Sequence, residues 1–573
     1  MKSLRNYIEP ITAIYLFCSL CCCNYTNFKD KLPPKGVVQG TATNTENLVI
    51  LCRVWGFLKY YHPNVGSGKY NWDLELFKIL PVIQSNDSVR NRNEILSNWI
   101  KKLETFETVN YNEIDSQKIK VYPQLQWIEE QNVLGDELSR QLNLIKSAKR
   151  EYKSHYVSFS NPGNPVFDNE LSYSDFPFPD KELRLLTLFR YWNIIEYFYP
   201  YRYLIPDWDK VLSQFIPLFI NAKSKGEYTS LCLRLISSIQ DTHANVFGTA
   251  TIDSLKGIFI CPFQVKWVEN KYVVTNFYHK SLNVRRKVNI GDVIEGIDGV
   301  RMDTLVKKYS LYTSASNRGA LMKILGSASG FILRSNKVTA EVSIARKGVR
   351  RKVSIKRIPL QQANTKIEWV DENKYGFSLL DSSIGYIYAS ALKYWELEVM
   401  MKSFKQTKGL IIDLRCYPSV FMPFTFGKWL KATETPFAKI STTTMEMPGR
   451  FGFGAPISNG GLNKDNYHYK GKIVLIVNSS TLSQGEYTTM ALRTIPGAVV
   501  VGSNTAGADG DVSLITLPGN IKTLITGTGV YYPNAGETQR IGITPDIIIE
   551  PSIKGVNENR DELLEMALSV MRR

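Results

Sequence analysis

Histidine is scarce in this chain, with five in 573 residues. Cysteine is scarcer still past the leader. Of eight cysteines, Cys18, Cys21, Cys22 and Cys23 crowd the first residues, and Cys52, Cys232, Cys261 and Cys416 stand far apart. With no C-x-x-C pair and no Cys/His cluster after the leader, the pattern excludes a structural zinc site, and these four read as buried thiols. No run past the leader is long and apolar enough to span a bilayer. Basic residues exceed acidic ones, 70 to 53, for a formal net charge of +17. They are scattered, as in "VRRK" and "ARKGVRRK". There is no Arg-rich block with interleaved aromatics and no helix-turn-helix or zinc-finger spacing. That argues against nucleic-acid binding and for a solvated basic surface facing anionic lipid or cell-wall polymer.

What is present begins at the N-terminus. "MKSLRN" is short and basic, and "YIEPITAIYLFCSLCCC" is mostly apolar, broken by Glu9 and Pro10. This is an imperfect signal peptide over residues 1–23. "LCCC" at Leu20–Cys23 resembles a bacterial lipobox, with Leu three residues before a Cys and a polar tail after it. Cys23 or Cys22 would then carry a lipid anchor and attach an exported protein to the bacterial cell envelope, in the periplasm or at the outer membrane. An ordinary cleaved signal is the alternative. The length calls for three or four domains.

Two segments of the first half match each other. "VWGFLKYYHPNVGSGKYNWDLELFKILPVI" (Val54–Ile83) aligns with "YWNIIEYFYPYRYLIPDWDKVLSQFIPLFI" (Tyr191–Ile220). Trp55 falls on Trp192, Tyr60 on Tyr197, Pro63 on Pro200, Trp72 and Asp73 on Trp208 and Asp209, and Pro81 on Pro217. Each unit has an apolar helical stripe, a Pro that stops the helix and a Trp-Asp that starts another. These are helical hairpins, one over 45–110 and one over 181–250, with their aromatics placed for packing. Between them, 111–180 is rich in Pro, Asn, Asp and Ser and reads as linker or long loop. The second unit runs on into "DTHANV" (Asp241–Val246), which places one of the few histidines just past a helix.

Residues 257–356 change character. "PFQVKWVENKYVVTNFY" reads as two strands across an Asn turn, and "KVTAEVSIARKGVRRKVSIKRI" as a hairpin about Lys347-Gly348. "GDVIEGIDG" (Gly291–Gly299) resembles the PDZ domain, whose open sheet edge takes up an extended peptide by strand addition. A spacer sheet without a ligand is the plainer alternative.

From 370 to 555 short apolar strands alternate with helices, the mark of a mostly parallel covered sheet, whose chemistry lies beyond the strands' carboxyl ends. Residues 556–573 read as a C-terminal helix. The strand "KIVLIV" runs into "NSSTLSQGE" (Asn478–Glu486) and then the helix "YTTMALRTI". Ser483 at this turn is either a helix cap or a nucleophile. As a nucleophile it would be exposed by the turn, with the helix's free N–H groups stabilising an oxyanion.

The order "DTH", PDZ-like module, "KGLIIDLR", "VNSSTLSQGE", "VVGSNTAG" and "IGITPDI" resembles the S41 serine peptidases over roughly residues 185–555. These are the C-terminal (tail-specific) processing proteases and the tricorn core protease. The resemblance implies an α+β multidomain chain with N-terminal helical repeats, a PDZ-like β module and a C-terminal α/β catalytic domain of the crotonase/ClpP type. It makes Ser483 the nucleophile, with Glu486 completing Ser-x-x-Glu. A Lys base about 25 residues on is replaced by Ala508, so the tricorn-like branch fits better: His243 of "DTH" as base, with Thr242 orienting the base network. That branch carries a Glu shortly before "GITPD" (Gly542–Asp546), where this chain offers Glu537 or, as an amide substitute, Gln539. The backbone N–H of Gln484 is one oxyanion donor. The second would come from the "DLR" loop, where the family's Asp-Leu-Arg-x-Asn-x-Gly-Gly is here "DLRCYPSV" (Asp413–Val420); Tyr417 replaces the Asn, and Ser419 and Val420 the glycines. Asp413 and Arg415 read as a pair fixing the strand end. The expected activity is hydrolysis of protein or peptide bonds without metal or organic cofactor. Two alternatives stand beside it: a peptide-binding scaffold whose oxyanion loop has lost its glycines, and hydrolysis of a non-peptide ester or amide.

Overall fold

The computed structural model describes residues 42–573 apart from 87, 112–114, 152–153, 280–282, 372–373 and 462–466. The leader, with Cys22 and Cys23, lies outside the described residues. No described helix is long and apolar enough to cross a membrane.

The first half is helical, and the repeat is visible in its hydrogen bonds. Helices Ala42–Tyr61 and Trp72–Gln84 form one hairpin; Lys181–Phe198 and Trp208–Asn221 form the other. In the first, the Trp55 indole N–H donates to the Trp72 carbonyl at 3.1 Å and the Trp72 indole to the Trp55 carbonyl at 3.0 Å. In the second, Trp192 and Trp208 make the same exchange at 3.0 and 3.1 Å. Buried indoles need such partners, so the paired Trp positions set the geometry of each hairpin. Asn71 and Asp207 cap the second helix of each unit through their side chains, as short polar residues do at N-caps. The units meet through equivalent tyrosines, Tyr60 and Tyr197, with ring centroids 5.6 Å apart. Gly56 allows the closest approach: a Cβ there would fall 1.8 Å from the Asn193 Oδ1.

Segment 111–180 departs from its linker-like composition. It holds a helical segment, Gln131–Lys146, broken at Gly135 (φ 68°, ψ 164°), that buries Leu134 before the break and Leu138, Leu142 and Ile145 after it. It also holds a hairpin, Val157–Phe159 with Pro165–Phe167. Its strand Ile119–Val121 pairs with Phe451–Phe453 from the last third.

The middle module is an antiparallel sheet in the order 349–356, 339–346, 293–297, 271–277, 263–268. Its tight turns at Glu269-Asn270, Asp298-Gly299 and Lys347-Gly348 all have positive φ at both residues, the conformation whose twist matches flanking antiparallel strands.

In the last third, Ile384–Tyr388, Gly409–Asp413, Lys472–Val477, Val499–Gly502 and Ile547–Ile548 form a parallel sheet, with Phe377–Asp381 added antiparallel at one edge. Ile384–Tyr388 and Gly409–Asp413 are wholly buried, and so is Lys472–Val477 apart from Lys472, as a sheet covered on both faces requires. Arg415 grips Asp413 through Nε at 2.9 Å and Nη2 at 2.7 Å, and reaches Asp561 at the start of the C-terminal helix at 2.7 Å. Cys52, Cys232, Cys261 and Cys416 are buried free thiols.

Candidate active site

Ser483 sits beyond the carboxyl end of strand Lys472–Val477, at the N-cap of helix Gln484–Leu492. Its backbone has φ 52° and ψ −118°, a left-handed conformation that costs a non-glycine residue about 1–3 kcal/mol and is retained where the surroundings over-determine it. Those surroundings are the loop 505–508. The Ser483 N–H donates to the Ala508 carbonyl at 3.0 Å, and the Ala506 N–H to the Thr481 carbonyl at 2.9 Å. Glu486, buried at the helix start, ties the loop down. It accepts from the Gly507 N–H at 2.8 Å, the Ala508 N–H at 3.0 Å, the Ser483 N–H at 3.2 Å and the Thr505 hydroxyl. Burial pushes its carboxyl up to about 7, against those donors. The Glu of Ser-x-x-Glu therefore acts on the loop that fixes the serine's backbone.

His243 reaches this region because strand Val246–Phe247 pairs with Ile521–Thr526. Its Nδ1 lies 2.8 Å from the Thr526 Oγ1 and 3.8 Å from the Asp241 Oδ1. Asp241, fully buried, accepts from the His243 backbone N–H at 3.0 Å and the Thr526 N–H at 2.8 Å. Burial lowers the imidazole's proton affinity below its ordinary 6.5, with Asp241 opposing in part. Its Nε2 is buried and makes no hydrogen bond among the described residues. No hydrogen bond therefore joins His243 to Ser483. The two are held by one loop instead: Thr242 Oγ1 donates to the Ala506 carbonyl at 3.2 Å, two residues from the carbonyl that takes the Ser483 N–H. Catalytic hydrogen bonds without substrate are often longer than in the reacting complex. Tyr417, the residue standing in the family's Asn position, lies near the Ser483 side chain.

The remaining candidates divide. Gln539 is brought to the histidine's side: its Nε2 lies 3.4 Å from Asp241 Oδ1 and from the Tyr199 hydroxyl. Glu537 is not. Its carboxylate accepts from Lys120 at 2.5 Å and from the Tyr203 hydroxyl at 2.7 and 2.8 Å. No hydrogen bond joins it to His243, Asp241 or Thr526 among the described residues. Gln484, in the first helical turn, has a backbone N–H with no intrahelical acceptor. Ser419 does not offer the second oxyanion donor, because its N–H goes to the Ala389 carbonyl at 3.0 Å. With side chains where the family has glycines, the loop turns its carbonyls to the helix start, and the Gln484 side chain donates to the Val420 carbonyl at 2.8 Å. Sequence reasoning missed Asp241 and Thr526. Asp241 stands two residues before His243 and was open to notice; Thr526 is 283 residues away and carried no signal. Among the described residues no group of His, Cys, Asp and Glu fits a metal ion.

Residues 435–549 match the model of peptidase family S41, and residues 258–376 match that of a PDZ domain. Among solved structures, mature CPAF complexed with lactacystin matches with a TM-score of 0.53 at 14% identity, over 68% of this chain and 99% of that one. A second structure of mature CPAF gives the same score and identity, over 68% of this chain and 98% of that one. A putative peptidase from Parabacteroides merdae matches at 15% identity with a TM-score of 0.43, over 69% of this chain and 97% of that one. At these identities the CPAF structures show a shared fold. No curated protein matches the chain in sequence.

Proposed function

The chain is an S41-family serine peptidase carrying a PDZ domain, and on that premise we propose that it is an endopeptidase working through an acyl-enzyme on Ser483. In this reading the Ser483 Oγ attacks the scissile carbonyl while His243 takes its proton and later returns it to the leaving amine. The Gln484 N–H and the positive end of its helix hold the oxyanion. Asp241 and Thr526 orient the imidazole, and Gln539, not Glu537, completes that network. The observation that supports the reading best is the strained backbone of Ser483 at the helix start, braced by Glu486 through loop 505–508. The PDZ domain would offer its sheet edge to the substrate peptide.

A catalytically impaired peptide-binding protein is the second reading. It is favoured by the Ser419 N–H being spent on Ala389. A serine-reactive fluorophosphonate separates the two. An active enzyme is labelled, loses the label in Ser483→Ala and keeps it in Ser480→Ala; a scaffold is labelled in none of them.

Export and a lipid anchor at Cys23 or Cys22 belong to the same reading. The expected result is incorporation of labelled palmitate in cells, lost when both cysteines are changed to Ala; incorporation that persists, or never occurs, removes the anchor.

A further inference from the structure

The chain's positive charge is gathered in one module. Residues 258–376, the stretch that matches a PDZ domain, hold 22 Lys and Arg against 9 Asp and Glu, so +13 of the formal +17 lies there. Two runs within it read alike, "VRRK" at 284–287 and "VRRK" at 349–352, and the fold brings them together. The Arg351 Nη2 donates to the Lys287 carbonyl at 3.0 Å, and the Lys287 Nζ to the Ser354 carbonyl at 2.7 Å. Arg285, Arg286 and Lys287 are exposed, and so are Lys347, Arg350, Arg351 and Lys352. Strand 349–356 is one edge of the module's sheet. The other edge, strand 263–268, packs against helix Arg318–Gly326.

Few acids answer these cations. Arg350 pairs with Glu295 at 3.0 Å and Lys352 with Glu341 at 2.9 Å. Arg285 lies over the Phe277 ring at 4.9 Å. Arg286 and Lys347 have no ion pair among the described residues, and the nearby Asp292 is taken by Arg346. Charge on an edge strand keeps it from pairing with another chain, but that role leaves the run at 285–287, which lies in no strand, without a purpose. Apolar side chains stand among the cations. Val349, just past the Lys347-Gly348 turn at the hairpin's tip, is 68% exposed, and Ile290, just past the other run, is 43% exposed. A soluble polyanion offers these two nothing. A lipid surface offers anionic headgroups to Lys and Arg and an acyl boundary to short apolar side chains.

We propose that the PDZ domain docks on anionic phospholipid membranes through this basic edge, the run 285–287 and the hairpin segment 347–352, with Val349 entering the headgroup region. The opposite edge, 263–268, stays open to peptide, and the docking is independent of the chemistry at Ser483. The test is sedimentation of the full chain with vesicles of phosphatidylcholine alone and of phosphatidylcholine mixed with phosphatidylglycerol. The readout is the ratio of the two partition coefficients, in which any contribution of the leader or of a lipid anchor cancels. The wild-type protein is expected to favour the anionic vesicles by about a hundredfold at low salt. The triple variant Arg286→Gln, Lys347→Gln, Arg351→Gln is expected to bring the ratio close to one, at about fivefold per charge removed. Val349→Asn should lower binding to the anionic vesicles by roughly threefold to tenfold; unchanged binding overturns the seating of the tip in the bilayer. A wild-type ratio near one overturns the proposal, whether or not the variants fold, and retention on heparin beside it would assign the patch to a soluble polyanion. A preference undiminished in the triple variant overturns the assignment to this edge.

Discussion

At the scale of single residues, the candidate site holds a serine with a strained backbone and a buried histidine whose proton affinity is lowered. His243 yields a pH prediction. Burial lowers its proton affinity below the ordinary 6.5. The unfolded ring thus binds a proton more readily than the folded one. The resulting stability is fully present above pH 6.5 and is lost as acid charges the ring. The neutral imidazole is also the form that acts as base. The acid limb of Ser483 labelling should therefore have its midpoint below pH 6.5, measured as rate against pH in buffers of constant ionic strength; a midpoint above 6.5 would contradict a buried His243 base.

At the scale of elements, helix crossings and one loop position these residues. The two hairpins touch at Gly56, where an added Cβ would meet the Asn193 side chain at 1.8 Å, and Asn193 is held by its own bonds to the Cys52 and Phe189 carbonyls at 3.1 and 2.9 Å. Gly56→Ala should destabilise the protein by about 1–3 kcal/mol through overpacking, seen as a lowered denaturation midpoint at unchanged slope. The segment 111–180 shows how composition misleads. Its Pro, Asn and Ser content marks a loop, yet Leu138, Leu142 and Ile145 repeat at helical spacing. That helix was legible in the sequence. The strand Ile119–Val121 was not, because its partner lies more than 300 residues away.

At the scale of the molecule, the helical repeats are part of the enzyme's core. Their hydrophobic cluster takes in Ile515, Leu517, Ile521 and Ile525 from the last third. The buried Arg190 donates to the Thr516 carbonyl at 3.0 Å and pairs with Asp73 at 2.9 Å and Glu170 at 2.8 Å. A fragment of residues 257–573 would expose that face and lack His243. It should be recovered aggregated or binding a hydrophobic dye, whereas residues 42–573 should unfold with coincident far- and near-ultraviolet circular dichroism transitions. A soluble, well-packed fragment would show that the helical units are accessory.

The sequence by itself determined the elements whose cause is local: the paired Trp-Asp helix starts, the Asn and Gly turns of the PDZ-like module, the buried parallel strands, and Ser483 at a strand-to-helix turn. In each, the side-chain period or the cap is written within a few residues. Only the tertiary structure decided which groups meet at the site. It put Gln539 rather than Glu537 beside Asp241, gave the Ser419 N–H to Ala389, and brought Thr526 to His243. Those outcomes depend on loop paths between strands far apart in the chain, where a hydrogen bond goes to whichever partner the packing brings within about 3 Å, and no local pattern encodes that choice.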